Sequence, residues 1–222
     1  MRKFLFLLIF FTVSLSAQNN KAKYWLDPYG VKVEDRHMMK LAKKYPEYAM
    51  GYRKTIDSGM VFQFNSPKYS TYKVDYTIIK KEIENITNKT YTDSTIFLIN
   101  FNYLDDTCSD WFSNNLSSEK INDRKTFIEP LKKGIEYKSN VIYLAFFENG
   151  IVLKNKPESK REYFFSDQNN FFRKNLFINA TVCGSFGLIK PNGQTLIRNG
   201  EYRPDSMNEH LKPEIWNLIF QQ

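Results

Sequence analysis

Two cysteines and a small acidic cluster are the residues of this sequence best suited to chemistry. Cys108 and Cys183 lie far apart in the chain. Cys108 follows Asp105-Asp106-Thr107 and precedes Ser109-Asp110, so three carboxylates flank one thiol. Nearby carboxylates raise the pKa of a thiol and lower its thiolate fraction. The local sequence therefore disfavours a strongly nucleophilic Cys108.

Other kinds of site find little support. His37 and His210 stand far from each other and from the cysteines, which is not a zinc spacing. The acidic cluster lacks the spacing and the turn glycine of a calcium loop, and a solvated loop in which Asp105 or Asp106 caps the next helix is the simpler interpretation. No nucleophile elbow, phosphate loop or dinucleotide glycine pattern is present. We predict neither a metal site nor a cofactor.

The first 17 residues predict a cleavable signal peptide. Arg2 and Lys3 precede the apolar run 4–13, and small residues lead to Ala17, after which cleavage fits best. The apolar run is too short for a membrane span, which needs roughly 17–25 residues. We therefore expect a periplasmic or secreted protein whose mature chain has no transmembrane segment.

Composition indicates a folded domain with a modest positive charge. The chain is 42% hydrophobic and 16% aromatic, with a formal net charge of +8, to which the two basic residues of the leader contribute. Its basic residues are spread among acids and form no run along one element, which argues against a nucleic-acid partner. The partner that we expect, if there is one, is another exported protein.

The order of elements predicts a mixed α/β fold. Apolar runs at 96–101 and 141–147 are typical of strands buried on both faces, and helical spacing over 118–133 lies between them. Two strands joined in this way predict a parallel, right-handed crossover. Further patterns predict helices at 33–45, 75–86, 169–174 and 205–220, strands at 60–64 and 163–165, and a hairpin of 186–190 with 194–198.

This order resembles the thioredoxin fold of exported TlpA-like thioredoxins and of peroxiredoxins. The segment from Ile96 to Cys108 is similar to the family's strand and cysteine loop, and the segment from Gly184 to Gly193 is similar to its hairpin. The resemblance implies a thioredoxin-like three-layer sandwich with a mixed sheet and an N-terminal α+β extension. The resemblance covers about residues 90–222. Together with the signal peptide predicted at 1–17, it divides the chain into an extension at 18–90 and a thioredoxin-like domain at 91–222.

The departures from the family pattern concern its redox motif. Only Cys108 stands where the family has Cys-x-x-Cys, and Gly184 takes the place of its cis-proline. The resemblance also implies that Cys183, just before that position, lies beside the Cys108 loop. The pair could be a structural disulfide, a redox pair or two unconnected thiols. A bridge closing so long a loop would add about 4 kcal/mol of stability.

Three functions follow as hypotheses. The first is a non-catalytic binding or structural module, with Asp105, Asp106 and Gly184 as loop positions beside the site. The second is a divergent thiol-disulfide oxidoreductase or peroxidase that uses Cys108 with Cys183 as resolving partner. The third is an adaptor whose residues 18–90 make the functional contact. The incomplete motif and the acidic surroundings of Cys108 favour the first.

Overall fold

The structure is a computed structural model that describes residues 23–55, 59–138 and 140–220. The predicted signal peptide, residues 1–17, lies outside the described residues. Among the described residues, no helix is long and apolar enough to cross a membrane.

The N-terminal part forms a small mixed sheet. Its strands stand in the order β2-β1-β4-β3, with β1 parallel to β4 and the other pairs antiparallel. The helix expected at 33–45 is present as a 3-10 turn at Asp35–His37 followed by α1, and the strand expected at 60–64 extends to residue 67. The elements are β1 (Lys23–Leu26), β2 (Lys32–Val33), α1 (Met38–Lys44), β3 (Tyr48–Lys54) and β4 (Met60–Pro67).

A larger, six-stranded sheet forms the centre of the molecule. Its strands stand in the order β10-β8-β6-β11-β12-β5; β6, β8 and β10 are parallel, and the remaining pairs are antiparallel. β7 and β9 pair separately. The strands are β5 (Tyr69–Lys73), β6 (Ile96–Asn102), β7 (Asn115–Leu116), β8 (Val141–Glu148), β9 (Val152–Leu153), β10 (Phe164–Asp167), β11 (Ser185–Ile189) and β12 (Gln194–Asn199).

Helices cover both faces of this sheet. On one face, Phe97 of β6 stacks on Tyr76 of α2, with ring centroids 6.0 Å apart. On the opposite face, Asn102 of β6 accepts a hydrogen bond from Arg124 of α3. The helices are α2 (Tyr76–Thr87), α3 (Ser118–Lys138), α4 (Phe171–Asn175), α5 (Pro204–Glu209) and α6 (Pro213–Phe220). The fold is therefore the predicted three-layer, thioredoxin-like α/β arrangement with a mixed sheet and an N-terminal extension.

The two predicted buried strands are the centre of the core. The side chains Phe97, Leu98, Ile99 and Phe101 of β6 are all fully buried, so both faces of the strand are covered. A continuous apolar run is the expected sequence of such a strand, because no position faces water. β8, which pairs with β6 along its length, is buried in the same way.

Two details differ from the sequence-based expectation. The single helix expected over 205–220 is wrong: α5 ends at Glu209 and α6 begins at Pro213. A residue that precedes proline is driven away from helical backbone angles, so Lys212 marks a natural break. In addition, β5 and α2, which precede residue 90, belong to the larger sheet and its helical layer.

Replacing Phe97 by alanine should lower the free energy of unfolding by about 3–5 kcal/mol, because it removes a fully buried ring from the centre of the sheet. Urea unfolding followed by circular dichroism measures the change. Phe127→Ala is the matched control, since that ring is 54% exposed. An equal loss for both variants would contradict this placement of the core.

Candidate functional site

The topology brings the two cysteine-bearing loops to one edge of the larger sheet. β6 and β11 are antiparallel neighbours, and Ser185 pairs with Phe101. The loop after β6 and the loop before β11 therefore start from the same edge. Cys108 and Cys183 are joined there in a disulfide, with Cα atoms 5.0 Å apart. The bridge links positions separated by 75 residues.

The carboxylate of Asp106 joins the same two loops without a covalent bond. Its Oδ1 accepts hydrogen bonds from the backbone N–H groups of Cys108 (2.9 Å) and Cys183 (3.2 Å), and its Oδ2 accepts one from Gly184 (2.9 Å). Asp106 is only 6% exposed. The expectation that Asp105 or Asp106 caps the next helix is wrong, because Ser109 caps the 3-10 turn that follows.

Burial controls the protonation of this carboxyl group. Desolvation raises the pKa of Asp106 from 3.8 to about 6, although the three backbone donors and Arg124 act in the opposite direction. The charged form is therefore disfavoured in the folded protein relative to the unfolded chain.

Asp105 lies on the other side of the loop and binds different partners. Its backbone N–H donates to Asn114 Oδ1, and its Oδ1 accepts from Asn114 Nδ2, both at 2.8 Å. Its Oδ2 is 2.5 Å from Lys54 Nζ at the end of β3. Asp105 therefore holds the loop to the N-terminal sheet and does not face the disulfide.

Gly184 is required by the shape of the second loop. Cys183 and Gly184 both have left-handed backbone angles, with φ of 68° and 73°. A Cβ atom on Gly184 would lie 2.7 Å from the carbonyl oxygen of Phe101, closer than such atoms approach. The turn that carries Cys183 over the end of β6 consequently needs glycine at this position.

The N-terminal sheet packs directly against both loops. Met50 O accepts a hydrogen bond from Val182 N (2.9 Å), next to Cys183. Tyr52 N donates to Ala180 O (3.1 Å), and Tyr52 Oη donates to Leu104 O (2.8 Å), close to Asp105. The extension and the disulfide-bearing edge therefore form one continuous structure.

A cleft of about 870 Å³ lies between the N-terminal sheet and the face of the larger sheet that carries α3 and α5. Both cysteines form part of its wall, and each is half-buried. Most of the surrounding side chains are apolar or aromatic. They include Trp25, Met38, Met50, Phe62, Trp111, Phe112, Phe127, Ile128, Val182 and Phe186.

Arg124 of α3 is a buried cation in the lining of this cleft. It is 2% exposed, and its guanidinium donates to Trp111 O and Asn102 Oδ1, both at 2.8 Å. The group also packs against the rings of Phe112 and Phe147, 5.2 Å from each ring centre. Burial lowers the pKa of Arg124 to about 10. The charge is therefore held in a largely apolar environment.

The described residues form no cluster of metal ligands. In the ranges that the structure describes, no group of three or more histidine, cysteine, aspartate or glutamate side chains is placed to hold a metal ion. Among the described residues Cys108 and Cys183 are both bridged, so neither is a free thiol.

Arg124 and the N-terminal half of the cleft were not predicted from the sequence. Arg124 is a single basic residue in a helix rich in charges, and nothing in its sequence context distinguishes it from a solvated one. Trp25, Met50 and Phe62 belong to strands whose packing against the cysteine loops has no local sequence signal.

Comparisons with known proteins add one weak likeness. No protein-family model and no curated protein matches the chain. Among solved structures, the chain is similar to the N-terminal domain of PilB from Neisseria gonorrhoeae, with 12% identity and a TM-score of 0.35 over 61% of this chain and 92% of that chain. A likeness at this level supports no argument about function.

Asp106→Ala should destabilise the protein by at least about 2 kcal/mol, because three backbone N–H groups around a buried position would lose their acceptor. Denaturant unfolding of the oxidised protein measures the loss. Asp110→Ala is the matched control, since Asp110 is exposed in the same loop. Equal stabilities of the two variants would show that the Asp106 hydrogen bonds contribute little.

The stabilising effect of Asp106 should decrease as pH rises. Its pKa is higher in the folded protein than in the unfolded chain, so the folded state binds the proton more tightly. The associated stability is complete below about pH 4 and is lost as pH rises through about 6. Asp106→Asn cannot titrate at this position. Relative to that variant, the free energy of unfolding of the wild type should fall by about 3 kcal/mol over this pH range. If the two free energies of unfolding differ by the same amount at every pH, the raised pKa is contradicted.

Proposed function

We propose that this chain is an exported, non-catalytic binding module with a thioredoxin-like fold, in which Cys108–Cys183 is a structural disulfide. The observation that carries the proposal is the double connection between the two loops. The disulfide and the Asp106 carboxylate hold the same pair of loops as one wall of a mostly apolar cleft. Pockets of this size and character are the usual binding sites of proteins.

Several features oppose turnover of the disulfide. Dithiol enzymes present a low-pKa thiol at a helix N-terminus, where the helix dipole stabilises the thiolate. Here α3 begins at Ser118, ten positions after Cys108, and carboxylates flank the cysteine. Asp106 holds the backbone of both cysteines, and Met50 and Tyr52 of the N-terminal sheet bind backbone groups of the same two loops. Exchange needs loops that can separate their sulfurs, and these contacts resist that movement.

Export and domain layout are part of the same proposal. The charged, apolar and small-residue segments of residues 1–17 support cleavage after Ala17 and a periplasmic or secreted location. Within the mature chain, residues 18–90 act as an extension of the domain at 91–222 and contribute both to the cleft and to the larger sheet. The partner that we propose is another exported protein.

One observation favours a redox function as the second candidate. Both cysteines line an accessible cleft, and the Asp106 carboxyl, with its pKa raised to about 6, lies between them. A group that titrates near neutrality can move protons in thiol-disulfide exchange. In that case a dithiol donor passes two electrons and two protons to the bridge, and Cys108 and Cys183 become thiols.

Two measurements on the mature protein separate the candidates. Cys108→Ser with Cys183→Ser should reduce the free energy of unfolding by about 4 kcal/mol, because the closed loop is long. The oxidised wild type should not accelerate the reduction of a disulfide-bonded substrate such as insulin by dithiothreitol. The matched control for stability is Thr107→Ala together with Asp110→Ala, two exposed positions of the same loop.

A clear acceleration of insulin reduction by the wild type that disappears in Cys108→Ser would establish redox turnover and overturn the binding-module proposal.

Mass spectrometry of the exported protein tests the proposed export. It should show a chain that begins at Gln18 and carries the intact bridge. An uncleaved chain that remains in the cell would contradict export.

A further inference from the structure

We infer that the cleft binds a segment of a partner protein that presents an apolar side chain beside a carboxylate. The inference rests on the proposed binding function and specifies what is bound. Three properties of the cleft carry it: apolar walls, exposed aromatic side chains at the rim, and a buried positive charge.

The walls favour a large apolar side chain. On the N-terminal side, Trp25 and Phe62 are stacked with ring centroids 4.4 Å apart, and Met50 lies beside them in the lining. On the opposite side, Phe112 and Phe186 line the cleft next to the larger sheet. Burying one aromatic or leucine side chain between such surfaces contributes roughly 1.5–3 kcal/mol. Interface anchor residues insert into pockets with linings of this kind.

The rim favours a protein segment over a small molecule. Trp111 is 37% exposed and Phe127 is 54% exposed, and their rings are 5.6 Å apart. Both residues line the cleft, and Phe127 extends the apolar surface onto α3. A small ligand inside the cleft would leave this surface in water, whereas a polypeptide crossing the rim would cover it. Exposed apolar patches that continue from a pocket are typical of protein interaction sites.

The charge of the lining selects the polar part of the partner. Arg124 is 2% exposed, and its Nε has no hydrogen-bond partner among the described residues. Within the part of the chain that the structure describes, no carboxylate oxygen lies within 4.0 Å of its guanidinium, and the Asp106 carboxylate acts on Arg124 only from beyond that distance. A buried charge without an ion-pair partner is costly, and a carboxylate brought into the cleft would offset that cost.

The remaining charged residues of the lining agree with this polarity. Lys23 and Arg203 are basic, and Glu201 is acidic. Arg203 pairs with Asp205 at 2.8 Å, so its charge is partly compensated within the protein. Lys23 and Arg124 outweigh Glu201, so the lining is weakly positive and would favour an acidic segment over a basic one.

The test is selection of peptides from a phage-displayed random library on the immobilised, oxidised mature chain. Enriched peptides should share an aromatic or leucine residue next to aspartate or glutamate. Synthetic versions are then measured by fluorescence anisotropy. Exchange of the peptide's acid for its amide, Glu→Gln or Asp→Asn, should weaken binding about tenfold or more, which corresponds to about 1.4 kcal/mol. This exchange tests the charge without altering the buried Arg124.

A second arm tests whether binding occurs in the cleft. Thr107 is exposed and lines the cleft beside Cys108, so Thr107→Trp should obstruct it and weaken binding at least about tenfold. The matched control is Thr77→Trp, which places the same side chain at an exposed position of α2 outside the cleft lining and should bind like the wild type. Thermal unfolding confirms that both variants fold.

The outcomes separate this inference from the proposed function. Peptides that bind in the cleft without any preference for an acid would overturn the inference and leave the binding module in place. Enrichment of no peptide, or binding unaffected by Thr107→Trp, would also overturn it. Redox turnover in the insulin assay would instead remove the proposed function itself.

Discussion

The Cys108–Cys183 disulfide and the Asp106 carboxylate connect the same two loops, one covalently and the other through three backbone hydrogen bonds. Most of the candidate site depends on this double connection. It places the left-handed turn at Cys183–Gly184 over the end of β6 and fixes the wall against which the N-terminal sheet packs. A buried carboxylate is tolerated there because it receives three donors, and its burial has a measurable consequence in a raised pKa.

This arrangement constrains the edge of the sheet that carries the two cysteines. The edge of the sheet where a thioredoxin-like protein carries its cysteines is here bridged, hydrogen-bonded and packed against an additional sheet. Met50 and Tyr52 pack against part of the two loops. The part of the loops that they leave uncovered lines the cleft. The extension thus gives the cleft its second wall.

Local sequence patterns predicted the central elements because those elements are buried in a simple way. β6 and β8 are apolar on both faces, and the Pro191-Asn192-Gly193 turn determines the hairpin of β11 and β12. The strands β1, β2 and β3 carry mixed residues, because one face of a small sheet remains in water. Their pairing depends on long-range contacts that no local pattern contains. The proximity of Cys108 and Cys183 followed from a resemblance in topology; the roles of Asp106 and Arg124 depend on burial, which one sequence does not reveal.

The central claim is that the bridge is structural, and the reduction potential of Cys108–Cys183 tests it most directly. The mature protein is equilibrated with redox buffers of graded potential, the thiols are trapped by alkylation, and the oxidised fraction is measured by mass spectrometry. Because two loops held by Asp106 and the N-terminal sheet keep the cysteines together, we expect a potential below about −300 mV, in the range of structural disulfides. A potential near −200 mV, in the range of catalytic pairs, would contradict this account and favour the oxidoreductase.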